Sequence, residues 1–73
     1  MYIESFPSKL KKARIDTGFT QREVAKELNI PQPTLARFET GKRYPDIEKL
    51  GLIADFYGVS VDWLLGTKGN LIS

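Results

Sequence analysis

The 73-residue chain contains no cysteine and no histidine. Without thiolate or imidazole groups it cannot form the usual zinc sites, a Cys/His nucleophile pair or a Ser/His/Asp triad. The lack of cysteine also gives no support for secretion, since small extracellular domains usually depend on disulfides. The nine carboxylates are scattered over predicted helix faces, and no phosphate-binding loop or nucleophile elbow is present. The sequence therefore predicts no enzyme, no metal site and no cofactor.

Long apolar runs are missing as well. No stretch approaches the roughly 18 residues of a membrane span, and residues 1–4 lack the basic and apolar regions of a signal peptide. We therefore expect a cytoplasmic protein with no membrane association. A core built from so short a chain seldom contributes more than about 3–5 kcal/mol, so self-association would help to stabilise it.

The charge is small but unevenly distributed. The formal net charge is +2; residues 1–43 hold nine Lys and Arg against five Asp and Glu, whereas residues 44–73 hold two against four. An anionic partner should therefore meet the first part of the chain. Nucleic acid is the obvious candidate, although this excess of positive charge does not decide the matter alone.

Local signals predict five short helices and no strand. A capping box at Thr20 and Glu23 predicts that the second helix begins at Gln21. Asn29 should end that helix because it tolerates the left-handed conformation, and four glycines should end the others. The predicted helices cover about 7–17, 21–28, 32–40, 47–57 and 61–65. Their predicted inward apolar residues are Phe6, Leu10, Ala13, Val24, Ala25, Leu28, Leu35, Phe38, Ile47, Leu50, Ile53, Ala54, Tyr57, Val61, Leu64 and Leu65.

The third helix carries the most informative surface. Leu35 and Phe38 point inward, and the outward face is then formed by Gln32, Pro33, Ala36, Arg37 and Thr40. A solvated helix usually mixes both charge signs, so a face without acids favours a contact surface. A simple αα-corner with a solvated outer face is the alternative.

The stretch 19–41 resembles the helix-turn-helix DNA-binding proteins of the phage repressor and Cro family, also called the XRE family. The matching residues are Thr20-Gln21, Val24-Ala25, Leu28, Ile30, Thr34-Leu35, Phe38-Glu39 and Gly41. The resemblance extends over about residues 6–66. It implies an all-α, lambda-repressor-like bundle of five short helices, with a DNA-binding domain over 1–66 and a short tail over 67–73.

The resemblance implies that the third helix enters the major groove of double-stranded DNA. Residues at the positions of Gln32, Pro33 and Arg37 read bases in the family, and chemistry agrees for two of them. Glutamine can pair with adenine and arginine with guanine. Pro33 departs from the family pattern, because members often carry a hydrogen-bonding residue there. Contacts to the DNA backbone or groove edge are expected from Gln21, Thr34, Lys42 and Arg43.

Two further expectations concern structure and assembly. In the family, residues matching Arg14 and Glu39 form an internal ion pair, and the region of the fifth helix commonly builds a dimer contact. Trp63, with Phe56 and Leu52, is therefore a candidate dimer patch; simple core packing is the alternative for these three residues.

The resemblance thus implies a bacterial or phage-encoded transcriptional regulator. We expect a dimeric repressor that reads a palindromic operator, with no small-molecule ligand evident. A protein-interaction module, or an antitoxin-type regulator that uses the same helical surface, is the alternative.

Overall fold

The computed structural model describes residues 5–66, which form five α-helices and no β-strand. The helices are α1 (Phe6–Thr17), α2 (Gln21–Leu28), α3 (Gln32–Thr40), α4 (Ile47–Tyr57) and α5 (Val61–Leu65). The predicted all-α fold class is therefore confirmed, and the predicted helix limits agree to within one residue. The tail predicted at 67–73 lies outside the described residues.

Local chemistry accounts for most of the helix ends. At the start of α2, the Glu23 N–H donates to Thr20 Oγ1 at 3.1 Å, and the Thr20 N–H donates to Glu23 Oε1 at 2.8 Å. Both bonds of the predicted capping box are thus present. Asn29 ends α2 with φ 57°, the one non-glycine residue among 5–66 in the left-handed region. Its backbone N–H is bonded to carbonyls of the last turn, as the prediction required.

The start of α1 differs from the prediction. The first helix was predicted to begin near residue 7, but α1 begins at Phe6. Proline is tolerated in the first turn because an N–H at that position has no helical carbonyl to bond. Phe6 is also fully buried, so the helical path that places its ring in the core outweighs the usual preference of a residue before proline.

The core lies between α1 and the other helices. Helix α1 packs against α3, α4 and α5, and α2 packs against α3. Of the predicted apolar stripe, Ile47 is an error, since this side chain is 86% exposed. Spacing cannot tell whether the first turn of a helix has a neighbour to pack against. Val61 and Leu65 are only half-buried and pack against the core. The other stripe residues form one buried cluster, which contains Phe6, Leu10, Ala13, Val24, Ala25, Leu28, Leu35, Phe38, Leu50, Ile53, Ala54, Tyr57 and Leu64.

Across residues 5–66, no helix has the length and apolar character needed to cross a membrane.

Candidate functional site

The outward face of α3 is free of exposed carboxylates. Gln32, Pro33, Arg37 and Thr40 are exposed, whereas Leu35 and Phe38 are buried, as their spacing predicted. Ala36, also predicted on the outward face, is half-buried. The only acid of the helix, Glu39, is buried on the opposite side. The exposed surface of α3 therefore presents one amide, one guanidinium, one hydroxyl and one proline ring.

Glu39 is held by Arg14, as the resemblance implied. Arg14 Nε donates to Glu39 Oε2 at 2.7 Å, and Arg14 Nη2 donates to Glu39 Oε1 at 3.1 Å. The side chains are 14% and 2% exposed, so this two-bond ion pair joins α1 to α3 in the interior. The hydrogen bond to Glu39 raises the pKa of Arg14 above its ordinary value, against the opposing effect of burial. Arg14 also donates from Nη1 to the Phe19 carbonyl at 3.1 Å, which ties the pair to the turn before α2.

Two glutamines extend this ion pair to the surface. Gln21 Nε2 donates to Glu39 Oε1 at 3.0 Å, and Gln32 Nε2 donates to Gln21 Oε1 at 2.8 Å. Gln21 is the first residue of α2 and Gln32 the first of α3. The sequence pointed to each glutamine as a separate surface contact and missed their connection. The one signal for it was that both residues open the two helices of the predicted helix-turn-helix.

Three cations lie at the other end of the α3 face, with Arg37 in the last turn of the helix and Lys42 and Arg43 in the loop that follows. The backbone N–H groups of Lys42 and Arg43 both donate to the Arg37 carbonyl, at 3.0 and 3.3 Å, so the loop after Gly41 folds back on the last turn of α3. The side chains of Arg37, Lys42 and Arg43 are exposed. Within residues 5–66, none of the three makes a side-chain hydrogen bond or ion pair. Their charges are available to an anionic partner.

Among the described residues, no group of three His, Cys, Asp or Glu side chains is placed to hold a metal ion.

The remaining predicted contact residue, Thr34, is half-buried in the first turn of α3. Its backbone N–H donates to the Pro31 carbonyl at 3.0 Å. The predicted DNA-contacting residues are thus arranged along one helix, with Gln21 beside its first residue and Lys42 and Arg43 beyond its last turn.

The predicted dimer patch divides into parts. Phe56 is half-buried, with its ring centroid 5.4 Å from Phe19 and 5.1 Å from Tyr57. Trp63 packs against the core, and Lys9 Nζ lies 5.2 Å from the centroid of its ring. Leu52, one turn before Phe56 on α4, is 51% exposed. Both aromatic rings therefore have packing roles within the monomer, and Leu52 is the most exposed of the three predicted patch residues.

Tyr57 lies in the core close to the ion pair. Burial, with a smaller contribution from the charge of Glu39, raises the pKa of its phenol to about 12, although the charge of Arg14 acts in the opposite direction. Its buried hydroxyl has no hydrogen-bond partner among residues 5–66. A buried polar group without a partner lowers stability.

Replacing Tyr57 with phenylalanine should therefore raise the free energy of unfolding at pH 7 by about 1 kcal/mol. The pH dependence of the free energy of unfolding should change too. The folded chain retains the Tyr57 proton to about pH 12, whereas an unfolded tyrosine releases it at about pH 10. Because the folded chain holds this proton more tightly, the free energy of unfolding keeps its full value below about pH 10 and falls as the pH rises toward 12. Urea titrations from pH 7 to 12 should show a shallower alkaline decline for Tyr57→Phe.

Tyr44→Phe is the matched control, because the Tyr44 ring is exposed. At pH 7 it should change the free energy of unfolding by less than ~0.5 kcal/mol. A loss of stability in Tyr57→Phe, with Tyr44→Phe unaffected, would contradict the assignment of an unpartnered hydroxyl.

The sequence of the chain is similar to those of known proteins. A family model described as helix-turn-helix matches residues 10–64. The HTH-type transcriptional regulator ImmR of Bacillus subtilis is 42% identical over 62 residues, which are 85% of this chain and 49% of that protein. The HTH-type transcriptional activator BcrR of Enterococcus faecalis is 35% identical over 60 residues, 82% of this chain and 29% of that protein. The cryptic phage CTXphi transcriptional repressor RstR of Vibrio cholerae is 32% identical over 56 residues, 77% of this chain and 50% of that protein.

The chain spans about half the length of ImmR and RstR and less of BcrR. All three relatives are named for regulating transcription. The family match covers most of the chain and includes α2, α3 and the turn between them. The chain therefore belongs to the helix-turn-helix family of the phage repressor and Cro type, as its sequence predicted.

Proposed function

We propose that the chain is a sequence-specific DNA-binding transcriptional regulator that places α3 in the major groove of double-stranded DNA. The observation that carries the proposal is the outward surface of α3, where exposed Gln32 and Arg37 are followed by Lys42 and Arg43 with no competing carboxylate. The major groove admits one α-helix and presents a different donor and acceptor pattern for each base pair. The α3 surface supplies both the helix and the matching polar groups.

Base reading is assigned to Gln32, Arg37 and Pro33. Arg37 can donate two hydrogen bonds to guanine O6 and N7, and Gln32 can both donate to and accept from adenine. Pro33, exposed at the second position of α3, has no side-chain donor or acceptor. Its contact is therefore apolar, with a thymine methyl group as the natural partner.

Phosphate or groove-edge contacts are assigned to Gln21, Thr34, Lys42 and Arg43. One hydrogen of Gln21 Nε2 is used by Glu39, so the second remains for a phosphate oxygen. The first N–H groups of α2 have no carbonyl within the helix to bond, and they and the positive end of the helix dipole favour the same anion. Lys42 and Arg43 are hydrogen-bonded through their backbone to the last turn of α3, which keeps their charges close to the end of that helix. Such contacts orient a recognition helix without specifying a sequence.

A homodimeric repressor is the form of regulation we infer. A repressor that occupies an operator and excludes polymerase needs only to bind DNA. Among the relatives, RstR is named a transcriptional repressor. Two copies would place their α3 helices in half-sites about 34 Å apart, one turn of DNA. Exposed Leu52, beside Phe56 on α4, offers apolar surface for the contact between copies.

Selection of bound duplexes from random DNA tests the proposal. It should recover a palindromic sequence whose half-sites are separated by one helical turn. Gln32→Ala and Arg37→Ala should each remove the preference at a different base pair of the half-site. Absence of binding to any duplex at low salt would contradict DNA binding and favour a protein-interaction module. A single half-site, without palindromy, would contradict the dimer alone.

Replacing Arg37 with alanine should weaken binding to the selected operator by ~1–3 kcal/mol and leave binding to random DNA nearly unchanged. Lys42→Ala is the matched comparison, since it also removes one cation at the same end of α3. It should weaken binding to all sequences alike. The slope of log affinity against log salt concentration should become shallower by the amount expected for about one phosphate contact. Anisotropy titrations at several salt concentrations measure both effects. Equal losses on operator and random DNA for Arg37→Ala would overturn its assignment to base reading.

A further inference from the structure

Two aromatic rings join the end of α1 to the surface of α4. The ring centroids of Phe19 and Phe56 are 5.4 Å apart. Phe19 follows the glycine that ends α1, and its N–H donates to the Arg14 carbonyl at 3.3 Å, which keeps it beside the last turn of that helix. Phe56 lies in the last turn of α4 and is half-buried. The outer surfaces of α1 and α4 therefore meet at these two rings.

The residues before the two rings have the same spacing on both helices. Ile15 precedes Phe19 by four residues, and Leu52 precedes Phe56 by four. The side chains of Ile15 and Leu52 are 57% and 51% exposed, and Phe19 is 38% exposed. We call these four residues the apolar strip. One side of the strip belongs to α1 and its end, and the other side belongs to α4.

The two sides of the apolar strip carry opposite charges. Lys11 lies four residues before Ile15, and Glu48 lies four residues before Leu52, so each charge is one helical turn from its aliphatic neighbour. Both charged side chains are exposed, and within residues 5–66 neither makes a hydrogen bond or an ion pair. Each helix thus presents a charge, an aliphatic side chain and an aromatic ring at equal intervals.

Neighbouring charges do not cancel this difference. On α1, Lys12 pairs with Asp16 at 3.1 Å. On α4, the charge of half-buried Lys49 is balanced by exposed Asp55. One uncompensated cation is left beside the strip on α1, and one uncompensated acid on α4.

We propose that two copies of the chain pair through the apolar strip about a two-fold axis, with Lys11 of each copy opposite Glu48 of the other. An axis that lies in the contact plane and passes between the two rings turns the α1 side of one copy onto the α4 side of the other. Ile15 then faces Leu52, and both ion pairs form at once. The inference goes beyond the proposed function, because this pairing needs no DNA.

The match of charge and spacing selects a second copy as the occupant of the strip. Another protein would have to present a cation and an acid at the same intervals, whereas the chain already presents both. Placing α1 against α1 would instead bring Lys11 to Lys11 and Glu48 to Glu48, so repulsion excludes that arrangement. The strip is small, so the dimer is weak, and salt should weaken it further by screening the two exposed pairs.

Sedimentation velocity without DNA, at low salt and over a series of protein concentrations, measures the Kd of this dimer. Lys11→Glu and Glu48→Lys should each raise the Kd by about tenfold, because two attractive pairs become repulsive. An equimolar mixture of these two variants should dimerise with a Kd within about threefold of the original, since every facing pair is again of opposite sign. Lys26→Glu, at an exposed position on α2, is the control for net charge and should change the Kd by less than about twofold.

The apolar part of the contact has its own matched pair of variants on α4. Leu52→Gln should raise the Kd by about tenfold or more, because the dimer buries this side chain twice. Ile47→Gln also removes an exposed aliphatic side chain from α4, but Ile47 lies outside the strip and its loss should leave the Kd unchanged. Circular dichroism should show that every variant keeps the helical fold.

A chain that stays monomeric up to about 1 mM would overturn the pairing and leave the strip to another protein. Single charge variants that do not recover on mixing, or equal effects of Leu52→Gln and Ile47→Gln, would overturn the assigned surface. Each of these results leaves DNA recognition by α3 standing. Conversely, a dimer with the expected charge behaviour supports this inference even if the chain selects no DNA sequence.

Discussion

Replacing Arg14 with methionine is expected to lower the free energy of unfolding by about 3–5 kcal/mol, because it leaves the buried carboxylate of Glu39 without its counter-charge. Gln21 would be the one remaining partner of that carboxylate among residues 5–66. A domain of this size is seldom stable by more than about 3–5 kcal/mol, so much of the Arg14→Met chain should be unfolded at 25 °C. Urea titration followed by the fluorescence of Trp63, the single tryptophan, measures the loss.

Lys12→Met provides a control with the same change of charge. The Lys12–Asp16 pair is 3.1 Å long, but its side chains are 64% and 59% exposed. Solvated pairs of this kind contribute less than about 1 kcal/mol, so this variant should remain close to the original stability. Equal losses in the two variants would contradict the buried character of the Arg14–Glu39 pair.

The double variant Arg14→Met, Glu39→Leu separates the cost of an unpaired charge from the net contribution of the pair. With both charges removed, most of the lost stability should return, since apolar side chains of similar volume often replace buried ion pairs without penalty. The Gln21 amide would then lose its fixed partner. We expect a folded double variant whose free energy of unfolding is close to that of the original chain.

Helix positions were the part of the fold that residue chemistry could predict. The capping box of Thr20 and Glu23 involves neighbours three residues apart, and the left-handed end at Asn29 depends on one side chain. The inward side of α3 follows in the same way from the spacing of Leu35 and Phe38. These features depend on short-range geometry, which the order of residues determines almost alone.

Contacts between helices could not be predicted in the same way. Arg14 and Glu39 are 25 residues apart, and only the family resemblance brought them together. The bonds that join Gln21 to Gln32 and Glu39 depend on how closely the starts of α2 and α3 approach, a distance that no local pattern contains. Ile47 is a case in which local spacing gave a wrong prediction. Its spacing matched the core stripe of α4, but its side chain is exposed.

Leu35→Ala is expected to have the other large effect on stability. Leu35 is fully buried on the inner side of α3, which packs against both α1 and α2. Truncation should lower the free energy of unfolding by about 2–5 kcal/mol, through lost apolar burial and the cavity left behind. Leu35→Met keeps the volume of the side chain and should cost less than about 1.5 kcal/mol. Thermal melts of the two variants measure the difference.

DNA binding by Leu35→Ala should separate folding from recognition. Gln32 and Arg37 project from the opposite side of α3, so the molecules that remain folded should keep the base preferences and the salt dependence of the original chain. Overall affinity should fall only by the fraction of chains that are unfolded, and excess operator should raise the melting temperature by mass action. A changed base preference in Leu35→Ala would instead mean that the recognition surface is not rigidly supported by the core beneath it.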